Sequence, residues 1–97
     1  MNICLVGAGG GIGRQLLKTF SARHDVHAVY RTLPAQSGPD DVAFADATGL
    51  ARSVTQADVV VHAALNTRAR GKDFIPANRQ VTETLLDLIR PETCRLF

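Results

Sequence analysis

The sequence has no tryptophan, a single tyrosine (Tyr30) and only two lysines, Lys18 and Lys72. It has no run of basic residues interleaved with aromatics, and its net charge is only +2, so no nucleic-acid partner is expected. No stretch approaches the ~20 consecutive apolar residues of a membrane span, so no membrane partner is expected either. Two cysteines, Cys4 and Cys94, are too few for a disulfide framework, and free thiols in a reducing cytoplasm are the expectation. Neither they nor the three histidines fall at metal-ligand spacing, so no metal site is expected. The apolar N-terminus carries no basic leader or cleavage site and reads as a first strand, not a signal peptide.

What is present is the composition of one soluble globular domain over residues 1–97, with 45% hydrophobic and 21% charged residues. Apolar runs alternate with helical patterns, the signature of β-α-β units and a parallel sheet. Strands are predicted over 2–6, 26–30, 42–45 and 59–62, with a fifth opening at Arg95-Leu96-Phe97. Helices are predicted over 11–23, 50–56 and 74–90, with loops over 32–41 and 66–73. In the first helix Ile12, Leu16, Leu17 and Phe20 are expected to share the packing face. In the last, Val81-Leu85-Leu88 and Leu86-Ile89 form two neighbouring apolar stripes, the second of which needs a partner. The fold class is therefore α/β, a Rossmann-like doubly wound parallel sheet that stops after the start of its fifth strand. Cys4 and Cys94 are not neighbours in such a sheet.

The segment Val6-Gly7-Ala8-Gly9-Gly10-Gly11-Ile12-Gly13 follows the first strand and opens the first helix. Glycines at such a turn let the backbone approach a pyrophosphate, and the helix N-terminus offers unpaired N–H groups and the positive end of a dipole. The spacing Gly-x-Gly-x-x-Gly needs a glycine where Ile12 stands. Two related spacings fit, one through Gly7, Gly10 and Gly13, the other through Gly7, Gly11 and Gly13. The alternative is an ordinary structural turn. At the end of the second strand, where an acidic residue would grip a ribose 2′-hydroxyl, stands Arg31. Its guanidinium suits a 2′-phosphate, which favours NADP(H), with NAD(H) remaining possible, over a merely solvated strand-end arginine.

The glycine spacings resemble the short-chain dehydrogenase/reductase superfamily, and further segments extend the likeness. Phe44-Ala45-Asp46-Ala47-Thr48 is similar to the segment of extended and atypical members with an Asp after the third strand. That likeness implies that Asp46 accepts from the adenine amino group with Ala47 beside it; a helix cap is the compatible alternative. Asp58-Val59-Val60-Val61-His62-Ala63-Ala64 resembles the family's fourth strand and implies that Ala64 contacts the cofactor. His62 reads as a satisfied, partly buried histidine. Asn78 with Thr82 resembles the Asn-x-x-Gly-Thr opening of the family's next helix, although Val81 replaces the glycine. The branch implied is the NAD-dependent epimerase/dehydratase-like group, of which the chain resembles the N-terminal, cofactor-binding part. The binding residues implied by spacing and resemblance together are Gly7, Gly10, Gly11, Ile12, Gly13, Arg31, Asp46, Ala47 and Ala64.

Family members that transfer hydride use a Tyr-x-x-x-Lys pair, whereas Tyr30 is followed four residues on by Pro34. No catalytic residue is expected in this chain. Three readings follow: the cofactor-binding part of an epimerase, dehydratase or reductase; a stand-alone, non-catalytic NADP(H)-binding or redox-sensing module; or a structural relic that binds little. The cluster Arg68, Arg70 and Lys72 reads as a solvated loop or a phosphate contact. The unpartnered stripe of the last helix predicts a homodimer.

Overall fold

The computed structural model describes residues 1–38, 41–64, 74–89 and 95–96. Their order is β1 (Asn2–Val6), α1 (Gly11–Ser21), β2 (Asp25–Tyr30), β3 (Val42–Ala43), α2 (Ala47–Gln56), β4 (Val59–His62), α3 (Phe74–Leu88) and β5 (Arg95–Leu96). The strands form one parallel sheet in the order β3-β2-β1-β4-β5. The expected doubly wound sheet is therefore what the chain adopts. The direction of travel reverses between β1 and β4, because the chain goes outward to β3 and then crosses back.

The central strand, β1, is buried along Ile3, Cys4, Leu5 and Val6, as a strand covered on both faces must be. Its even residues join one core with Val29, Leu50, Val54, Val60 and Leu85, on the face covered by α2 and α3. Leu5, with Ala8 and Ala28, joins a second core on the opposite face, against Leu16 and Leu17 of α1. The strand starts are tied together as well: the Asn2 N–H donates to the Asp58 carboxylate at 2.9 Å, and the Asp58 N–H donates to the Asn2 carbonyl at 2.8 Å.

Several expectations are corrected in detail. Ile12 is not on the packing face of α1 but is 73% exposed. The packed stripe runs Gly13-Leu16-Leu17-Phe20, at i, i+3, i+4 and i+7, and Ile12 falls off its edge. The two stripes of α3 are in fact one, because Ile89 packs with Val81, Leu85 and Leu88 on the core and only Leu86 turns outward. The first helix ends at Ser21, β3 is only two residues long, and α2 begins at Ala47, ahead of the predicted Leu50. The Cys4 thiol is buried in the core, while Cys94 lies outside the described residues. The cluster Arg68, Arg70 and Lys72 also lies outside them.

Candidate functional site

The binding residues implied by spacing and resemblance fall at or just beyond the carboxyl ends of adjacent strands. Gly7 follows β1, Arg31 follows β2, Asp46 follows β3 and Ala64 follows β4. In an open α/β sheet this edge, at the point where the strand order reverses, is where ligands bind.

The glycine loop is built by close backbone approach. Gly7 has φ +92°, in the left-handed region that side chains disfavour. A Cβ there would stand 2.5 Å from the Ala64 nitrogen and 2.7 Å from the Ala63 carbonyl carbon, so the turn lies directly on the end of β4. A Cβ on Gly13 would collide with the Gly7 carbonyl oxygen, so the first turn of α1 rests on the loop that precedes it. Gly10 and Gly11 are different. Gly10 would meet only the Gly7 oxygen, at 3.6 Å, and Gly11 nothing within 4 Å. Packing requires glycine at 7 and 13, whereas 10 and 11 leave open ground above the loop.

The amides complete the arrangement. The Gly7 and Ala8 N–H groups both donate to the Val29 carbonyl, at 2.9 and 3.2 Å, which locks the loop onto β2. The Gly10 N–H donates to the Gly7 carbonyl at 3.2 Å, and the Arg14 N–H makes the first helical bond, to Gly10, at 2.9 Å. Between them, the Gly11, Ile12 and Gly13 amides open α1, where a helix has no internal acceptors to offer. Gly10 caps the helix in extended conformation without a side-chain acceptor, and no acidic residue stands in the first turn. An anion there meets N–H groups and the positive end of the dipole, with no competing carboxylate. Ile12 is exposed beside them.

Arg31 is exposed at the end of β2 and makes no ion pair with another described residue. The neighbouring Tyr30, not assigned a role from the sequence, lies beside the loop: a Cβ on Gly9 would sit 3.3 Å from its ring. Partial burial, and then the nearby Asp41 carboxylate, raise the Tyr30 pKa, so its hydroxyl stays protonated at neutral pH. Asp46 is the N-cap of α2 and accepts the Gly49 N–H at 3.1 Å through one carboxylate oxygen. The cap alternative is thus realised, and Ala47 is the first helical residue. Ala64 meets Gly7 across the junction of β1 and β4. His62 is satisfied at both ring nitrogens, by the Thr82 hydroxyl and the Ala64 N–H. Asn78 falls within α3.

The glycine loop is a shelf, exposed at Gly9, Gly10 and Gly11. A hollow of about 320 Å³ lies between α2 and the outer sheet edge, lined by His27, Asp41, Arg52, Ser53 and Gln56; it reaches Asp46 but none of the loop glycines. Among the described residues no group of His, Cys, Asp and Glu is arranged to hold a metal ion, and no helix is long and apolar enough to cross a membrane.

With this geometry in place, the model of the NAD dependent epimerase/dehydratase family matches residues 3–97. The chain belongs to that family. Its fold is shared with solved structures of low sequence identity. One is a short-chain dehydrogenase/reductase superfamily protein from Agrobacterium tumefaciens with bound NAD, at TM-score 0.70 and 18% identity, over 91% of this chain and 28% of that one. A UDP-N-acetylglucosamine 4-epimerase from Bacillus cereus aligns at 0.68 and 21%, over 91% and 32%. A 3-alpha-hydroxysteroid dehydrogenase from Pseudomonas sp. B-0831, complexed with NADH, aligns at 0.65 and 20%, over 92% and 40%. The chain thus spans well under half the length of each. No curated protein is similar enough in sequence to count as a relative.

Proposed function

We propose that residues 1–97 form one dinucleotide-binding domain that prefers NADP(H) and accepts NAD(H). The observation that carries this reading is the mutual packing of Gly7, Gly13 and Ala64, which places a side-chain-free loop and a helix N-terminus at the switch point of the sheet. The residues present fit a dinucleotide. Gly10, Gly11 and the amides of Gly11, Ile12 and Gly13 take the pyrophosphate. Arg31, exposed and without an ion pair to another described residue, takes the 2′-phosphate. The capping carboxylate of Asp46 accepts from the adenine amino group through the oxygen not engaged by Gly49, with Ala47 alongside. Ala64 lines the path of the cofactor across β1 and β4. Nicotinamide cofactors supply hydride exchange when bound; this chain binds and orients them.

The catalytic step lies outside these residues. Tyr30 is the only tyrosine, its hydroxyl is held protonated, and the fourth residue beyond it is Pro34. We therefore read the chain as the cofactor-binding part of an epimerase-, dehydratase- or reductase-like protein, without a catalytic residue of its own. The buried thiol of Cys4 suits a reducing cytoplasm. Self-association as a homodimer is part of the same reading: Leu86 is exposed on α3, and α1 covers β1 and β2 on its face of the sheet while Val61 of β4 and the following Ala63 are only partly buried there.

Calorimetric titration with NADPH and NADH tests the proposal. Binding of both, tighter for NADPH, supports it. Binding of neither removes it.

A further inference from the structure

His62 stands on the last position of β4, half-buried under α3, with each ring nitrogen engaged. The Ala64 N–H points at Nδ1 over 3.3 Å, so Nδ1 must carry a lone pair. The proton then resides on Nε2, which donates to the Thr82 hydroxyl of α3 over 3.2 Å. The ring therefore links three parts of the fold: the strand end, the helix above it, and the backbone nitrogen on which Gly7 packs. That nitrogen is the atom closest to where a Gly7 Cβ would stand, at 2.5 Å. On the other side of the junction, the Ala63 N–H donates to the Val6 carbonyl at 2.8 Å. The β-ladder thus fixes Ala63, while His62 fixes Ala64.

We propose that His62 is a positioning residue, which in its neutral Nε2–H form holds the Ala64 amide against Gly7 and so sets the geometry of the dinucleotide shelf. Its consequence for affinity rests on the dinucleotide reading above; its action on Ala64 does not. Protonation of Nδ1 sets one donor against another and releases the Ala64 amide. Burial lowers the His62 pKa. The charged groups on the surrounding elements are Arg79, Glu83 and Asp87 of α3, Asp46 at the cap of α2 with Arg52 on that helix, and Asp58 before β4. The neutral form accordingly prevails at physiological pH. The hold on Ala64 is present above the ordinary histidine pKa of about 6.5 and is lost as the pH falls through the lowered value.

Nitrogen-15 NMR on the whole chain without cofactor tests the positioning. At neutral pH, Nδ1 is expected to resonate as an unprotonated acceptor, and the Ala64 amide to be protected from exchange. As His62 titrates on acidification, the Ala64 amide is expected to lose that protection. In His62→Asn the carboxamide oxygen takes the place of Nδ1, so protection persists and no longer depends on pH. In His62→Leu protection is lost already at neutral pH. A protonated Nδ1 at neutral pH, or an Ala64 amide indifferent to His62→Leu, overturns the proposal. Titration with NAD+ then reads the consequence. Affinity of the wild type is expected to fall about fivefold between neutral and acidic pH, the worth of one net hydrogen bond, and to stay flat in His62→Asn. Wild-type affinity independent of pH overturns the link to the shelf. A chain with the expected amide response that takes up no NAD+ overturns the dinucleotide reading and leaves the positioning of Ala64 established.

Discussion

Gly13 and Gly7 touch through backbone alone: a Cβ on the first would occupy the space of the carbonyl oxygen of the second. The contact seats the first turn of α1 on the loop leaving β1, which aims the helix N-terminus at the sheet edge. Gly13→Ala must therefore push the helix away from the loop, an overpacking cost of about 1–3 kcal/mol. Gly7→Ala meets the backbone of β4 and also demands a left-handed conformation, adding roughly 1–2 kcal/mol of strain. Gly11→Ala is the contrasting case, since its Cβ meets nothing. Alanine in a helix is better than glycine by about 0.5–1 kcal/mol, so this variant should gain stability. On the proposed reading it should nonetheless lose NADPH affinity, because the added methyl group would stand where the pyrophosphate approaches. Chemical denaturation and NADPH titration on the three variants separate the two effects. A Gly11→Ala chain that binds NADPH as well as the wild type removes Gly11 from the site.

Much of this was legible in the sequence because the central strands are unbroken apolar runs. Asn2–Val6 and Val59–His62 fall where the runs place them, and the glycine loop lies between strand and helix as its spacing requires. The errors come from residues whose environment is set by tertiary packing. The amphipathic count assigned Ile12 to the buried face because Leu16 is four residues on, yet Gly13 takes the position against the loop and leaves Ile12 outside. Helix α2 starts at Ala47, ahead of the predicted position 50, and Gly49 in its first turn leaves room for the cap: a Cβ there would press 2.5 Å from the Asp46 carboxylate. Tyr30 carries no motif, and its place beside Gly9 follows only from the side on which β2 packs.

Asp46 holds a cap and, on the proposed reading, an adenine contact, and two substitutions separate these roles. Asp46→Ala removes the acceptor for the Gly49 N–H and should cost about 1 kcal/mol of stability. Asp46→Asn preserves the cap, because asparagine caps as well as aspartate, so stability should stay within roughly 0.5 kcal/mol of wild type. If the carboxylate also holds the adenine amino group, Asp46→Asn should weaken NADPH binding about tenfold, the loss of a hydrogen bond to a charged acceptor. An Asp46→Asn chain of unchanged stability and unchanged affinity shows a capping residue and nothing more.

On the proposed reading, Arg31 decides between the two cofactors. It is exposed and makes no ion pair with another described residue, so Arg31→Ala should leave stability within about 0.5 kcal/mol of wild type, as surface substitutions do. The charge-assisted contact to a 2′-phosphate is worth about 1.5–3 kcal/mol, so NADPH affinity should fall ten- to a hundredfold while NADH affinity barely changes. Raising the salt concentration should narrow the NADPH preference of the wild type and leave the mutant unaffected. Equal losses for the two cofactors would move Arg31 from the 2′-phosphate to a contact they share.

Leu85 and Leu86 are adjacent on α3 and have opposite environments. Leu85 is fully buried between the helix and the sheet, whereas Leu86 is 53% exposed. Leu85→Ala opens a cavity in the core shared with Val29, Val54 and Val60, and should cost about 2–5 kcal/mol. Leu86→Glu lies outside that core and should change the stability of the isolated fold by no more than about 0.5 kcal/mol. Its effect should appear in assembly. If two copies meet through α3, each Leu86 enters the shared interface, and a carboxylate there is desolvated without a partner. Light scattering at high micromolar concentration is then expected to give a dimer for the wild type and a monomer for Leu86→Glu. A wild type that is monomeric under those conditions removes the homodimer. A dimer that survives the substitution places the interface elsewhere, the partly buried Val61 of β4 and the following Ala63 being the next surface to probe.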